Sequence, residues 1–334
     1  MGYIYTKSGK LAKRLYFGAV LLFEGLYYTF KNRVLADGGT FVENELPTIS
    51  QDASLVLTPN AYKAGKLYSA VPNDGTGDFT VDRNSTATYV DEDGLIKTAL
   101  ANVPRIDYST GESALLVEPQ AINLYDYSEN FSQWLLSISG TATGTLTPNY
   151  GIAPDGNLTA TRAIFNLNGG TTSNDSVSIQ KTPVSGYTDG QGYTISVWMK
   201  SLSADVDVAI EFNGLAQSIA KVTSNWQRFK TFLSNLDTNA RATQIMRLRG
   251  GYNVSGSVDL LIWGAQIEEA TTASSYIPTN GVTETRLADD ISVTTPEGVS
   301  SITETIDGID QTPITTIPAT YSLPVGNINK VKML

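Results

Sequence analysis

The chain has 334 residues, 41% hydrophobic and 17% charged, with no cysteine and no histidine. That is enough for two or three domains with real cores and shows no disordered bias; the two missing residue types exclude disulfides, thiolate or imidazole metal centres, cysteine nucleophiles and Ser-His-Asp catalysis. The net charge of −10 is uneven. In residues 1–33, Lys7, Lys10, Lys13, Arg14, Lys31 and Arg33 stand against Glu24 alone, so a basic arm precedes an acidic body. Such an arm suits docking on a negative partner, and the acidic body disfavours nucleic acid.

In chain order, the first unit is residues 1–50. Its apolar stretch LYFGAVLLFEGLYYTF (15–30) is broken by Glu24 and followed closely by Lys31 and Arg33. That fits neither a bilayer span, which needs roughly 18 uninterrupted apolar residues, nor a signal peptide, and predicts packing against other protein. RVLADGGTFVEN (33–44) reads as strand, Asp-Gly-Gly turn and strand. Residues 51–122 form a connecting β region, with SLVLT, KLYSAV, DFTVDR, TATYVD, LIKTAL and ALLVE parted by turn-forming clusters. Gly75 and Gly77 belong to one such turn, because no phosphate-loop pattern follows them.

Residues 123–280 read as all-β. In YTISVWMK (193–200) Ile195, Val197 and Met199 share one face, and Ser196, Trp198 and Lys200 the other. VDVAIEF (206–212) turns Asp207 and Glu211 away from its aliphatic residues, and QIMRLR (244–249) parts Met246 and Leu248 from Arg247 and Arg249. VDLLIWGAQI (258–267) is apolar on both faces, as an inner strand would be. Asn-Gly pairs at 168–169 and 213–214 are hairpin candidates. Short strands with turn signals and no βαβ alternation predict a sandwich or jelly roll. Residues 281–334, rich in Thr, Ile, Val and Pro, predict an extended β C-terminal segment.

The order NLYDYSENFSQW, LTPNYGIAPDGNLTATRAIF, SNWQRFKTFLSN and LLIWGAQIEEATTASSYIPT resembles the β-sandwich modules of phage tail-fibre and head-spike proteins, themselves similar to bacterial carbohydrate-binding modules. The resemblance runs upstream through LTPNAYKAGKLYSAVPNDGTGDFTVDRNSTATYVDEDGLI and covers about residues 57–295. It implies a virion structural protein at the surface of head or tail, not an enzyme. It also implies a homo-oligomer, with a trimer favoured, joined to other virion proteins through the arm. Host attachment through a surface glycan would then be multivalent. The alternatives are a polysaccharide-degrading tailspike and a free carbohydrate-binding protein, the latter disfavoured by the missing export signal.

Candidate chemistry is sparse. Tyr125, Tyr127, Phe131 and Trp134 read as mainly structural, and Trp134, Trp226 and Trp263 as core. Trp198 is separated from the aliphatic face, so its removal is expected to leave stability nearly unchanged. If strands 193–200, 206–212 and 244–249 are neighbours, Trp198 shares a face with Lys200, Glu211, Arg247 and Arg249. An aromatic plane among charged hydrogen-bonders suits a sugar site, and equally a subunit interface or ordinary surface. No catalytic residues are assigned, no cofactor is implied and no metal ligand is assigned; a structural calcium would draw on Asp126, Glu129 or Asp259.

Overall fold

The computed structural model describes residues 53–334 except 60–61, 73, 183–186, 213–215 and 235–241, together with five short strands within residues 1–43. Arg33–Leu35 pairs antiparallel with Phe41–Glu43, the two strands expected on either side of Asp-Gly-Gly, which lies outside the described residues. In the basic arm Leu15–Phe17 pairs antiparallel with Gly2–Ile4 and with Val20–Leu21, and the others of residues 1–32 lie outside the described ones. The fold is mostly β, in several antiparallel sheets, and Phe131–Gln133 forms a 3-10 turn. Among the described residues no helix is long and apolar enough to cross a membrane.

Two compact units emerge, interleaved in sequence. One is built from three segments, 53–84, Ala99–Pro119 and the C-terminal 288–334. The extended C-terminal segment thus pairs with strands of the connecting region. Its last strand, Gly326–Met333, pairs with Leu55–Leu57, Ala114–Val117 and Ile302–Ile306. A second sheet sets Asp290–Thr294 between Thr320–Ser322 and Phe79–Asp82. Leu57 opposes Val331 and Leu115 opposes Ile328, and these four with Ile302 are fully buried; a register shift between Lys330 and Ile328 lets Ile328 and Val331, three residues apart, enter one core with Phe79 and Ile291.

The other unit, residues Ser85–Thr98 and Gln120–Leu287, is a β-sandwich carrying a hairpin. Its strands are β1 (Leu135–Ser139), β2 (Thr143–Gly151), β3 (Ala160–Asn166), β4 (Ser176–Lys181), β5 (Tyr193–Ser201), β6 (Val206–Phe212), β7 (Ala216–Val222), β8 (Gln227–Leu233), β9 (Thr243–Arg249) and β10 (Ser257–Glu268). Two five-stranded sheets result, ordered β1-β4-β9-β6-β7 and β2-β3-β10-β5-β8. The chain changes sheet at every connection except β2–β3 and β6–β7, the crossing pattern of a jelly roll. β10 is the central strand of its sheet, which explains its apolar reading on both faces.

The core between the sheets takes Ile195, Val197 and Met199 from β5, Val208, Ile210 and Phe212 from β6, and Met246 and Leu248 from β9. The aromatic cluster ahead of β1 closes one end. Trp134 packs on Tyr125 at 4.6 Å and Phe131 at 5.4 Å, and its indole Nε1 donates to the Tyr127 carbonyl at 2.8 Å. Burying large rings while satisfying their polar atoms is what stabilises such a cluster. The β6–β7 pairing closes at Phe212 and Ala216 around the second Asn-Gly. The first Asn-Gly makes a turn with positive φ at Asn168 and Gly169, but it joins strands of opposite sheets and forms no hairpin.

Candidate functional site

One extra residue reshapes the outer face of the β2-β3-β10-β5-β8 sheet. Ser196 opposes Gln266 whereas Trp198 opposes Trp263, so three steps along β10 match two along β5. Gly264 sits in this bulge with φ +65°, and a Cβ there would lie 3.0 Å from the Trp198 ring. A bulge re-aims side chains. Here Ile262 and Ala265 both turn into the core, while Trp263 and Gln266 both reach the outer face.

A second apolar cluster grows on that face. Trp263 lies 5.6 Å from Trp198 and 4.5 Å from Tyr276, and Trp198 lies 5.5 Å from Tyr276. Ile96, Ala153, Ala160 and Leu261 complete it. The hairpin Ala87–Val90 with Ile96–Ala99 is held there by two bonds: Ile96 N–H donates to the Pro154 carbonyl, and Thr88 Oγ1 to the Tyr276 carbonyl. The polar edges of the rings are satisfied. Trp263 Nε1 donates to Thr159 Oγ1 at 3.0 Å, and Tyr276 donates its hydroxyl to Glu129 Oε1 at 2.9 Å. Burial pushes the Tyr276 phenol well above its ordinary range and raises the Glu129 carboxyl above the usual carboxylate value.

Arg228, from β8, spreads its guanidinium over the Trp198 ring at 4.2 Å. It donates to Ser196 Oγ at 2.9 Å and to the Ser274 carbonyl. One face of Trp198 is thereby occupied by a cation–π contact.

Beside this cluster opens a cleft of about 320 Å³. Hairpin residues Val90 and 94–96 form one wall, the 152–154 loop a second, and Trp198, Lys200 and Trp226 the third. The last three are half-buried. Trp226 is fixed by its Nε1 donating to the Ile152 carbonyl at 3.2 Å. The sequence reading placed Trp226 in the core with Trp134 and Trp263. Trp134 is there, Trp263 is buried in the outer-face cluster, and Trp226 walls the cleft. The signal lay in SNWQRFKTF, where Trp226 shares its parity with Arg228 and Lys230, the polar side of β8.

The five residues expected on one face fall on two. Trp198 and Lys200 meet in the cleft. Glu211, Arg247 and Arg249 gather on the opposite sheet, because β6 pairs with β9 and neither pairs with β5. There Glu211 accepts from Arg247 Nη1 at 2.9 Å and from the Tyr252 hydroxyl at 3.1 Å, and Arg249 Nη1 donates to that hydroxyl at 3.0 Å. The two arginines also donate to neighbouring chain, Arg247 Nε to Ser176 Oγ at 3.1 Å and Arg249 Nε to the Ser173 carbonyl at 3.0 Å. The three carboxylates considered for calcium are also dispersed. Asp126 pairs with Lys181 at 2.6 Å, Asp259 takes a bidentate fork from Arg162 at 2.8 and 2.6 Å, and Glu129 accepts from Tyr276. Among the described residues no group of three or more carboxylates is arranged for a metal.

No protein-family model matches the chain, and no curated protein matches it. Among solved structures it is similar to a family 11 carbohydrate-binding module from Clostridium thermocellum, at 15% identity and TM-score 0.31 over 49% of this chain and 98% of that one. A family 4 carbohydrate-binding module gives 16% identity and TM-score 0.29, covering 45% of this chain and 94% of the other. The enzymatically active domain of tailspike protein 4 of bacteriophage CBA120 gives 16% identity and TM-score 0.28, over 42% of this chain and 20% of that one. The chain thus has a distant structural similarity to carbohydrate-binding-module β-sandwiches.

Proposed function

We propose that this protein is a non-catalytic component of a phage particle whose sandwich binds a surface glycan in the cleft beside Trp226. The observation that carries the glycan half is the cleft itself, an open apolar site with an anchored indole on one wall and a lysine at the same wall. Pyranose rings present C–H faces that pack on indole, and their hydroxyls take hydrogen bonds from a cationic group. About 320 Å³ lies at the small end of ligand sites, which run from roughly 300 to 1,000 Å³. One or two sugar units fill such a space, so affinity per site is low and attachment depends on many copies. The particle half is supported by the sequence resemblance over residues 57–295, which also favours a trimer, incorporation through residues 1–50 and a position on head or tail surface.

The test is a glycan panel on the purified chain, read by affinity and by release of reducing ends. Binding that Trp226→Ala abolishes, with the melting temperature lowered by no more than about a few degrees, is the expected result. Binding indifferent to that change sinks the cleft. Release of reducing ends would assign the degrading-spike reading instead. Antibody to this chain should also label intact particles.

A further inference from the structure

Lys200 is the only charged residue lining the cleft among the described residues. Its ammonium makes no ion pair or hydrogen bond to them, and it stands half-buried between Trp198 and Trp226. Its neighbour Arg228 is in the opposite situation, committed to Ser196, Ser274 and the Trp198 ring. The stem of Lys200 lies on the apolar cleft wall and its ammonium is unpaired among the described residues, so an entering anion gains an ion pair there that a neutral ligand does not. We infer that the cleft selects an anionic sugar, its negative group meeting Lys200 while its ring packs on Trp226. This rests on the glycan-binding reading above and narrows it from sugars in general to acidic ones.

Two opposing effects decide whether the charge matters. The body of the chain is acidic and repels anions at a distance. Beyond about 8 Å that field is screened at physiological salt, whereas a contact pair in a half-buried cleft is screened much less. The local lysine therefore wins at the bound geometry, and the acidic body slows only the approach. Lysine also sets the kind of selectivity. A point charge on a flexible stem does not enforce the planar two-pronged geometry that arginine imposes on a carboxylate. Carboxylated and sulfated sugars are therefore both accepted, and charge, not shape, is read.

The experiment uses matched pairs: galacturonan, glucuronoxylan and alginate oligosaccharides, each beside its carboxyl-reduced neutral form, with a sulfated galactan oligosaccharide as a second anion. The full chain should bind at least one acid form about three- to tenfold more tightly than its neutral partner. That preference should shrink at 0.5 M salt, and Lys200→Met should erase it, lowering affinity for the acid form by a larger factor than affinity for its neutral partner. Lys200→Arg should keep the preference for acid over neutral. Equal affinity within every pair, or a preference that survives Lys200→Met, overturns the inference and leaves glycan binding standing. If no member of any pair binds, the glycan reading fails with it.

Discussion

Replacing Trp134 with alanine removes a ring held by Tyr125 and Phe131 inside the main core, so about 3–5 kcal/mol of stability should go with it. Trp198, expected from alternation to be nearly dispensable for stability, packs on Trp263, Tyr276 and Arg228. Being half-buried, it should cost about 1–3 kcal/mol. Trp226→Ala should cost least, about 1 kcal/mol or less, since cleft solvent replaces part of its contacts. Urea denaturation of the three variants gives this order, and equal losses at Trp134 and Trp226 would contradict the placement of Trp226.

Two carboxylates respond to pH with opposite signs. Hydrogen bonds from Thr172 and Thr141 hold Asp175 well below its ordinary value of 3.8, so its contribution is full at neutral pH and is lost as pH falls through that depressed value. Burial raises Glu129 above 4.5, so wild-type stability is favoured below that value and falls as pH rises through the raised one. Asp175→Asn should therefore be most damaging near pH 7 and progressively less so as pH falls below 3.8. Glu129→Gln, whose amide oxygen still accepts from Tyr276, should gain on the wild type between pH 4.5 and 7. Melting temperatures from about pH 7 down to about pH 2 give both signs.

Among the elements, strands with strict alternation were legible from the sequence. In β5, β6 and β9 the residues facing the inter-sheet core follow period two, as Ile195, Val197 and Met199, Val208, Ile210 and Phe212, and Met246 and Leu248, although Ser196, Ala209 and Glu211 between them are buried as well. The sequence could not show which strands are neighbours, because a jelly roll pairs strands far apart in the chain. That is why Trp198 and Lys200 part company with Glu211, Arg247 and Arg249. The bulge was also invisible, since WGAQI reads as uninterrupted strand while Gly264 shifts its parity. Gly264→Ala tests the importance of the bulge. It places a Cβ against the Trp198 ring and forces a left-handed backbone on an L-residue, at a cost of about 1–3 kcal/mol. The near-ultraviolet circular dichroism of the Trp198, Trp263 and Tyr276 cluster should change with it, while an unaltered spectrum and stability would show that the bulge does not set the cluster.

At the scale of the whole molecule, the interleaved sequence order demands something that ties three distant segments into one unit. Sheet pairing does part of this, and a buried ionic network does the rest. Arg83 from the first segment donates to Asp289 of the third at 2.7 Å. Arg105 from the second reaches the other oxygen of Asp289 and also pairs with Glu118 at 2.7 Å. Both guanidinium side chains are fully buried, and the Asp289 backbone N–H donates to the Glu118 carbonyl. Such a network adds little net stability over an apolar replacement, but breaking one member strands the others, at about 3–5 kcal/mol. Asp289→Ala should therefore weaken the three-segment unit specifically. The chain supplies its own reporter, because all four tryptophans lie in the sandwich unit. Tryptophan fluorescence follows the sandwich alone, whereas calorimetry follows both units. In Asp289→Ala a calorimetric transition should move to lower temperature while the fluorescence transition stays in place; Trp134→Ala should do the reverse to the fluorescence. A fluorescence transition that falls equally with Asp289→Ala would mean that the two units unfold as one cooperative body.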